Sequence, residues 1–105
     1  MKYLLSFLLV LLVTPAFAKV VVLDVRTPEE YSEGHVTGSL NIDVTNKDFL
    51  KNIKGLNKAD TYKIYCRSGK RAGKAIDEMK NAGFKDLENL GGYEDARKVL
   101  EKNAP

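Results

Sequence analysis

The sequence predicts an α/β fold built on a mainly parallel sheet. Three observations carry this. Runs rich in β-branched and aromatic residues alternate with segments of helical periodicity. The first run, KVVVLDV (19–25), is apolar almost throughout, as in a strand buried on both faces. Capping and turn residues stand between the runs, where helices must start and stop.

The chain opens on MKYLLSFLLVLLVTPAFA (1–18). Lys2 supplies a positive start, Leu4 to Val13 an apolar stretch, and Ala16-Phe17-Ala18 a small-x-small cleavage site. That is the pattern of a secretory signal peptide, removed on export. The apolar stretch is too short to span a bilayer, which takes about 20 apolar residues. No cysteine stands at the cleavage site to carry a lipid. The expected mature protein is one domain, residues 19–105, with no membrane attachment after cleavage.

The elements of that domain follow in order. After the strand at 19–25, TPEEY (27–31) reads as a short helix. Thr27 suits the N-cap and Pro28 the first helical position, and Glu29 and Glu30 favour the positive helix end. GHVTGS (34–39) is a loop and LNI (40–42) a short strand. KDFLKNIKGL (47–56) places Phe49, Leu50, Ile53 and Leu56 on one helical face. NKAD (57–60) is a turn. TYKIYC (61–66) has strand composition. KRAGKAIDEMKNAGF (70–84) is a helix whose buried side carries Ala72, Ala75, Ile76, Met79 and Ala82, with Gly83 as its terminating glycine. KDLENL (85–90) is a strand, Gly91-Gly92 a tight turn, and YEDARKVLEKN (93–103) the closing helix. Internal repeats and low-complexity tracts are absent from the sequence.

Size and charge narrow the function. A chain of 105 residues leaves room for one small domain. A net charge of +3 is too mild to indicate nucleic acid or an anionic membrane, and the lysines are spread along helical segments. The tyrosines are scattered and form no stacking platform. The cysteine count says more. Cys66 is the only cysteine, so the core must hold without an internal disulfide. A lone cysteine in an exported protein pairs between molecules, stays a free reactive thiol, or serves as a small buried hydrophobe.

Position favours reactivity. Cys66 ends a strand and precedes a helix, and parallel sheets bind ligands beyond the carboxyl ends of their strands. It opens the turn CRSGKR (66–71). Free cysteine ionises near pH 8.5, and the thiolate is the nucleophile. Arg67, Lys70, Arg71 and the following helix N-terminus all favour the thiolate. Gly69 lets the backbone curl so that successive N–H groups converge on the sulfur or on an anion beside it. Ser68 adds a hydroxyl donor. Such a turn suits an attacking thiolate and an anionic substrate. The spacing Cys-x4-Arg makes a six-residue loop. One residue more would suit a tetrahedral oxyanion, as in phosphatase and arsenate-reductase loops, and the tighter loop suits a single terminal sulfur.

Three stretches, LDVRTPEEYSEGHVTGSLNI (23–42), YCRSGKRAG (65–73) and NLGGYEDA (89–96), together resemble the rhodanese family, in the family's order. More narrowly the chain is similar to small, single-domain, periplasmic thiosulfate sulfurtransferases. The resemblance implies a rhodanese-like, mainly parallel five-stranded sheet flanked by helices on both faces. It implies sulfur transfer from thiosulfate to a thiophilic acceptor such as cyanide, through a persulfide on Cys66, with no cofactor and no metal. Backbone N–H groups of Arg67, Ser68, Gly69, Lys70 and Arg71 would cradle the persulfide, and the three cationic side chains would draw thiosulfate in. The implied protein is a periplasmic monomer whose partners are small molecules. One departure is Ala96, where many relatives carry tryptophan, and looser packing is expected there. An alternative function is a carrier that delivers persulfide sulfur to a protein partner.

The remaining candidates read as structure. His35, the only histidine, belongs to a GH pair that is a fold signature in the family. With one cysteine it cannot complete a zinc site. Asp24 and Arg26 end the first strand. On that edge they either line the pocket or form an ion pair that orders it, with Glu30 as the candidate partner of Arg26, and the structural reading is preferred. SGKRAGKA lacks the spacing of a nucleotide P-loop.

Overall fold

The computed structural model describes residues 18–101. The proposed signal peptide therefore lies outside the described residues, apart from Ala18. The elements are β1 (Val20–Asp24), α1 (Pro28–Glu33), β2 (Leu40–Asn41), α2 (Phe49–Asn52), β3 (Thr61–Cys66), α3 (Lys70–Asn81), β4 (Asp86–Gly92) and α4 (Tyr93–Glu101). The strands form one parallel sheet in the order β2-β1-β3-β4.

Successive strand residues face opposite sides of the sheet, and two apolar layers result. On one side Leu23, Tyr62, Ile64 and Cys66 pack with Phe49 and Ile53 and with Ala72, Ala75 and Met79 of α3. On the other, Tyr65 packs with Val36 and Ala96. Helices thus cover both faces. Ala96 is fully buried, with Leu90, Tyr93 and Leu100 packed around its cluster.

The expected five strands are corrected to four among the described residues. The segment after β2 is consumed by side-chain turns. Asp43 accepts the backbone N–H of Thr45 at 2.8 Å, and Asn46 that of Asp48 at 2.8 Å. Such local bonds compete with strand pairing.

The helix expected over 47–56 shrinks to α2. Beyond it the N–H groups of Lys54 and Leu56 bond three residues back, to Lys51 and Ile53, giving tight turns that end at Gly55 and Asn57. Leu50 is consequently 54% exposed instead of lying on the buried face. Two termini match the reading closely. Thr27 and Glu30 form a capping box at α1 with Pro28 inside the first turn. Gly83 (φ 101°) closes α3: its N–H meets Lys80 O and that of Phe84 meets Met79 O. These two bonds satisfy carbonyls that a helix end leaves open.

Gly91 and Gly92 are also corrected. They belong to β4, which runs into α4 without a separate turn. Pairing with β3 jumps from Ile64↔Asn89 to Tyr65↔Gly91, so Leu90 is the extra residue of a bulge and Gly91 takes φ 89°.

Candidate functional site

The chain goes from β1 to β2 on one side, then crosses to β3 and β4 on the other. The order reverses between β1 and β3, and the crevice at such a switch point is where open parallel sheets hold ligands. Cys66 ends β3 there, and Asp24 ends β1 beside it.

Cys66 is fully buried and unpaired. Gly69, in the left-handed region at φ 100°, turns the chain into α3. Sγ receives the backbone N–H of Gly69 at 2.9 Å and that of Ala72 at 3.4 Å. Both belong to the four N–H groups that a helix start leaves without partners. The thiol therefore sits on the positive end of a 12-residue helix. Ala72 lies one residue beyond the expected cradle of 67–71.

The side chains divide. Arg67, Ser68 and Lys70 are exposed. Arg71 is not free: Nη1 and Nη2 reach Glu30 Oε1 at 2.7 Å and Oε2 at 3.0 Å. The hydrogen bonds from Arg71, with help from the Thr27 N–H and against the cost of burial, hold the Glu30 carboxyl down at about 2. The expected Arg26–Glu30 pair is thus replaced. Arg26 pairs instead with Asp24, Nη2 to Oδ2 at 2.7 Å, with both side chains buried. Burial pulls the Arg26 guanidinium down, but its hydrogen bonds and charge pairing with Asp24 prevail and raise it. Arg26 also donates to Gly34 O at 2.7 Å and lies 4.7 Å from the Tyr93 ring centre. Asp24 is the last residue of β1 and Arg26 lies two residues beyond it, so the pair is local to the end of that strand.

Behind the loop stands the end of β4. Asn89 donates to Gly69 O at 3.1 Å and accepts the Gly91 N–H at 2.8 Å. A Cβ on Gly92 would overlap Arg67 O. Sequence reasoning missed this brace. Its one visible signal was two glycines standing where a strand would otherwise continue.

An open cleft of about 370 Å³ adjoins the loop, lined by Arg26, Glu30, Glu33, Gly34, Arg67, Tyr93 and Glu94. Cys66 lies beneath the loop and not on the cleft wall, and Arg67 connects the two. His35 is held away from the thiol's hydrogen bonds: it stacks on Tyr31 with ring centres 3.6 Å apart, and its Nδ1 is 2.8 Å from Tyr31 O. Tyr65 OH accepts the Val36 N–H at 3.0 Å, and burial pushes its phenol up to about 12. Among the described residues no group of three or more His, Cys, Asp or Glu is placed to hold a metal.

A buried thiol on a helix N-terminus, at the switch point of a small parallel sheet, defines a class of α/β domain built around a cysteine loop. The model of the rhodanese-like domain matches residues 14–98, and the chain belongs to that family. It is similar to the thiosulfate sulfurtransferase PspE of Escherichia coli, 38% identical over 77% of this chain and 78% of the relative. It is also similar to the chloroplastic thiosulfate sulfurtransferase 16 of Arabidopsis thaliana, 37% identical over 68% of each chain. Among solved structures it resembles a rhodanese with anions from E. coli, with a TM-score of 0.62 and 33% identity, over 72% of this chain and 89% of that one.

Proposed function

We propose that the protein is a thiosulfate sulfurtransferase working through a persulfide on Cys66. The observation that carries this is the pair of N–H groups, from Gly69 and Ala72, directed at Sγ. They are placed to donate to the sulfur that Cys66 carries during transfer. The Cys66 thiolate attacks the outer sulfur of thiosulfate. A new S–S bond forms, the old one breaks, and sulfite leaves with its electron pair. A thiophilic acceptor such as cyanide then takes the outer sulfur and becomes thiocyanate, and the thiolate returns. This is two-step covalent catalysis. It calls on no metal or organic cofactor.

In this reading Arg67 meets the incoming thiosulfate at the cleft, Ser68 and Lys70 flank it, and the Gly69 N–H holds the transferred sulfur. Arg71 fixes the loop through Glu30. The mature chain is residues 19–105, a monomer acting in the periplasm after loss of the signal peptide. Among the described residues no helix is long and apolar enough to cross a membrane.

Intact mass of the mature protein tests this, before thiosulfate, after thiosulfate and after cyanide. Gain of one sulfur, removed by cyanide over repeated cycles, is the expected result. Cys66→Ser should gain none while remaining folded. A sulfur that cyanide cannot discharge would identify a carrier needing a protein acceptor. No gain in the native protein would overturn both readings.

A further inference from the structure

The Cys66 loop carries Arg67, Lys70 and Arg71, yet one of these charges is cancelled inside the protein. Glu30 arrives from α1, 41 positions away, and takes Arg71 through two bonds. The same carboxylate accepts the Thr27 N–H at 3.0 Å and the Thr27 hydroxyl at 3.2 Å. Four donors fix it, so it is not a swinging surface group. Glu30 also lines the cleft, whereas Arg71 is not part of its wall. Of the two arginines on that wall, Arg26 is committed to Asp24, and Arg67 makes no ion pair among the described residues.

We propose that Glu30 is a specificity-determining residue: by neutralising Arg71 it leaves Arg67 as the arginine open to an anion at the cleft. It thereby weakens retention of compact oxyanions, released sulfite included. A compact oxyanion such as sulfite or phosphate gains most from cations on several sides and from two-pronged arginine contacts. Thiosulfate can be held at one end by Arg67 while its outer sulfur reaches the thiol. The inference rests on the Cys66 loop being the thiosulfate site.

The test is direct binding of sulfite, and separately of inorganic phosphate, to the reduced, sulfur-free protein by calorimetry. Glu30→Gln keeps the side-chain length and the acceptor of the capping box, since Gln serves there as well as Glu. It should bind both anions roughly tenfold more tightly than the native protein, the scale of one charge at a partly shielded site. Glu30→Gln with Arg71→Leu should return affinity to within about twofold of native, the same net charge having been restored. Glu30→Asp, with its charge retained, should also stay within about twofold of native affinity. A merely structural Glu30 would show unchanged or weaker binding in Glu30→Gln, and that result would overturn the proposal. So would a double variant as tight as Glu30→Gln. If Glu30→Gln folds poorly, the double variant decides: native affinity supports the proposal, and a clear loss would show that Arg71 binds the anion and would overturn it. Sulfur loading of Cys66 by thiosulfate, read by mass on the same samples, reports on the sulfurtransferase reading separately.

Discussion

The backbone of Gly92 lies directly against the carbonyl oxygen of Arg67, with no room for a side chain between them. Through this contact the last residue of β4 sets the path of the loop that carries Cys66. The neighbouring pair repeats the arrangement: a Cβ on Gly69 would come within 3.2 Å of Gly91 Cα. Two strands ending side by side can place a thiol this tightly only if the facing residues are glycine.

Gly92→Ala should therefore displace the loop. The added methyl must push Arg67 or Gly92 aside, and overpacking of this kind costs about 1–3 kcal/mol. The thermal midpoint should fall, and sulfur uptake by Cys66 should fall by at least tenfold at temperatures where the variant is folded. Normal uptake in the folded variant would show that loop geometry tolerates the shift.

Arg67→Ala should raise the KM for thiosulfate with little change in stability. Arg67 is exposed and makes no ion pair among the described residues, so its removal leaves no buried group unpaired. A rise of about tenfold is expected for one charge-assisted contact. Steady-state kinetics at constant ionic strength check it, and an unchanged KM would remove Arg67 from substrate binding.

Asp24→Ala should be among the most destabilising single changes. Asp24 Oδ1 accepts both the Arg26 N–H at 2.9 Å and Nε at 3.0 Å, and the pair is buried. Removing the carboxylate strands a guanidinium, at a cost of about 3–5 kcal/mol. Urea unfolding of the variant measures this, and a loss under 1 kcal/mol would mean that Tyr93 and Gly34 suffice to hold Arg26.

Acid should release the Glu30–Arg71 link. The folded carboxyl is held at about 2 against an ordinary 4.5. A lowered folded value means that the stabilisation is full above pH 4.5 and is lost as pH falls towards 2. The side chain is partly exposed, so the contribution is at most about 3 kcal/mol. Native protein should exceed Glu30→Gln in stability at pH 6, and most of that difference should be gone as pH falls to about 2. A gap independent of pH would sink the ion pair as its source.

Much of this site can be read along the chain because its information is local. Cys66, Gly69 and the start of α3 fall within a few consecutive residues. A strand end, a glycine turn and a helix start suffice to aim N–H groups at the thiol. The capping box of Thr27 and Glu30 is equally local, as is the glycine stop at Gly83. Periodicity located α3 and β3, where alternation is strong. It failed over 47–56, where Asn46, Gly55 and Asn57 outweigh an apolar pattern.

The choice of partners across the fold has a different origin. Sequence spacing makes Glu30 a partner for Arg26, four residues away, but the fold brings Glu30 of α1 to Arg71 at the start of α3 instead. Gly91 and Gly92 look like a turn until the β3–β4 register sets them against the loop. Composition and local pattern fix what each segment can form, because those preferences act over a few residues. Which charges cancel, which glycines must stay bare and which cation remains open to a substrate depend on segments some twenty to forty residues apart. Packing alone brings those together.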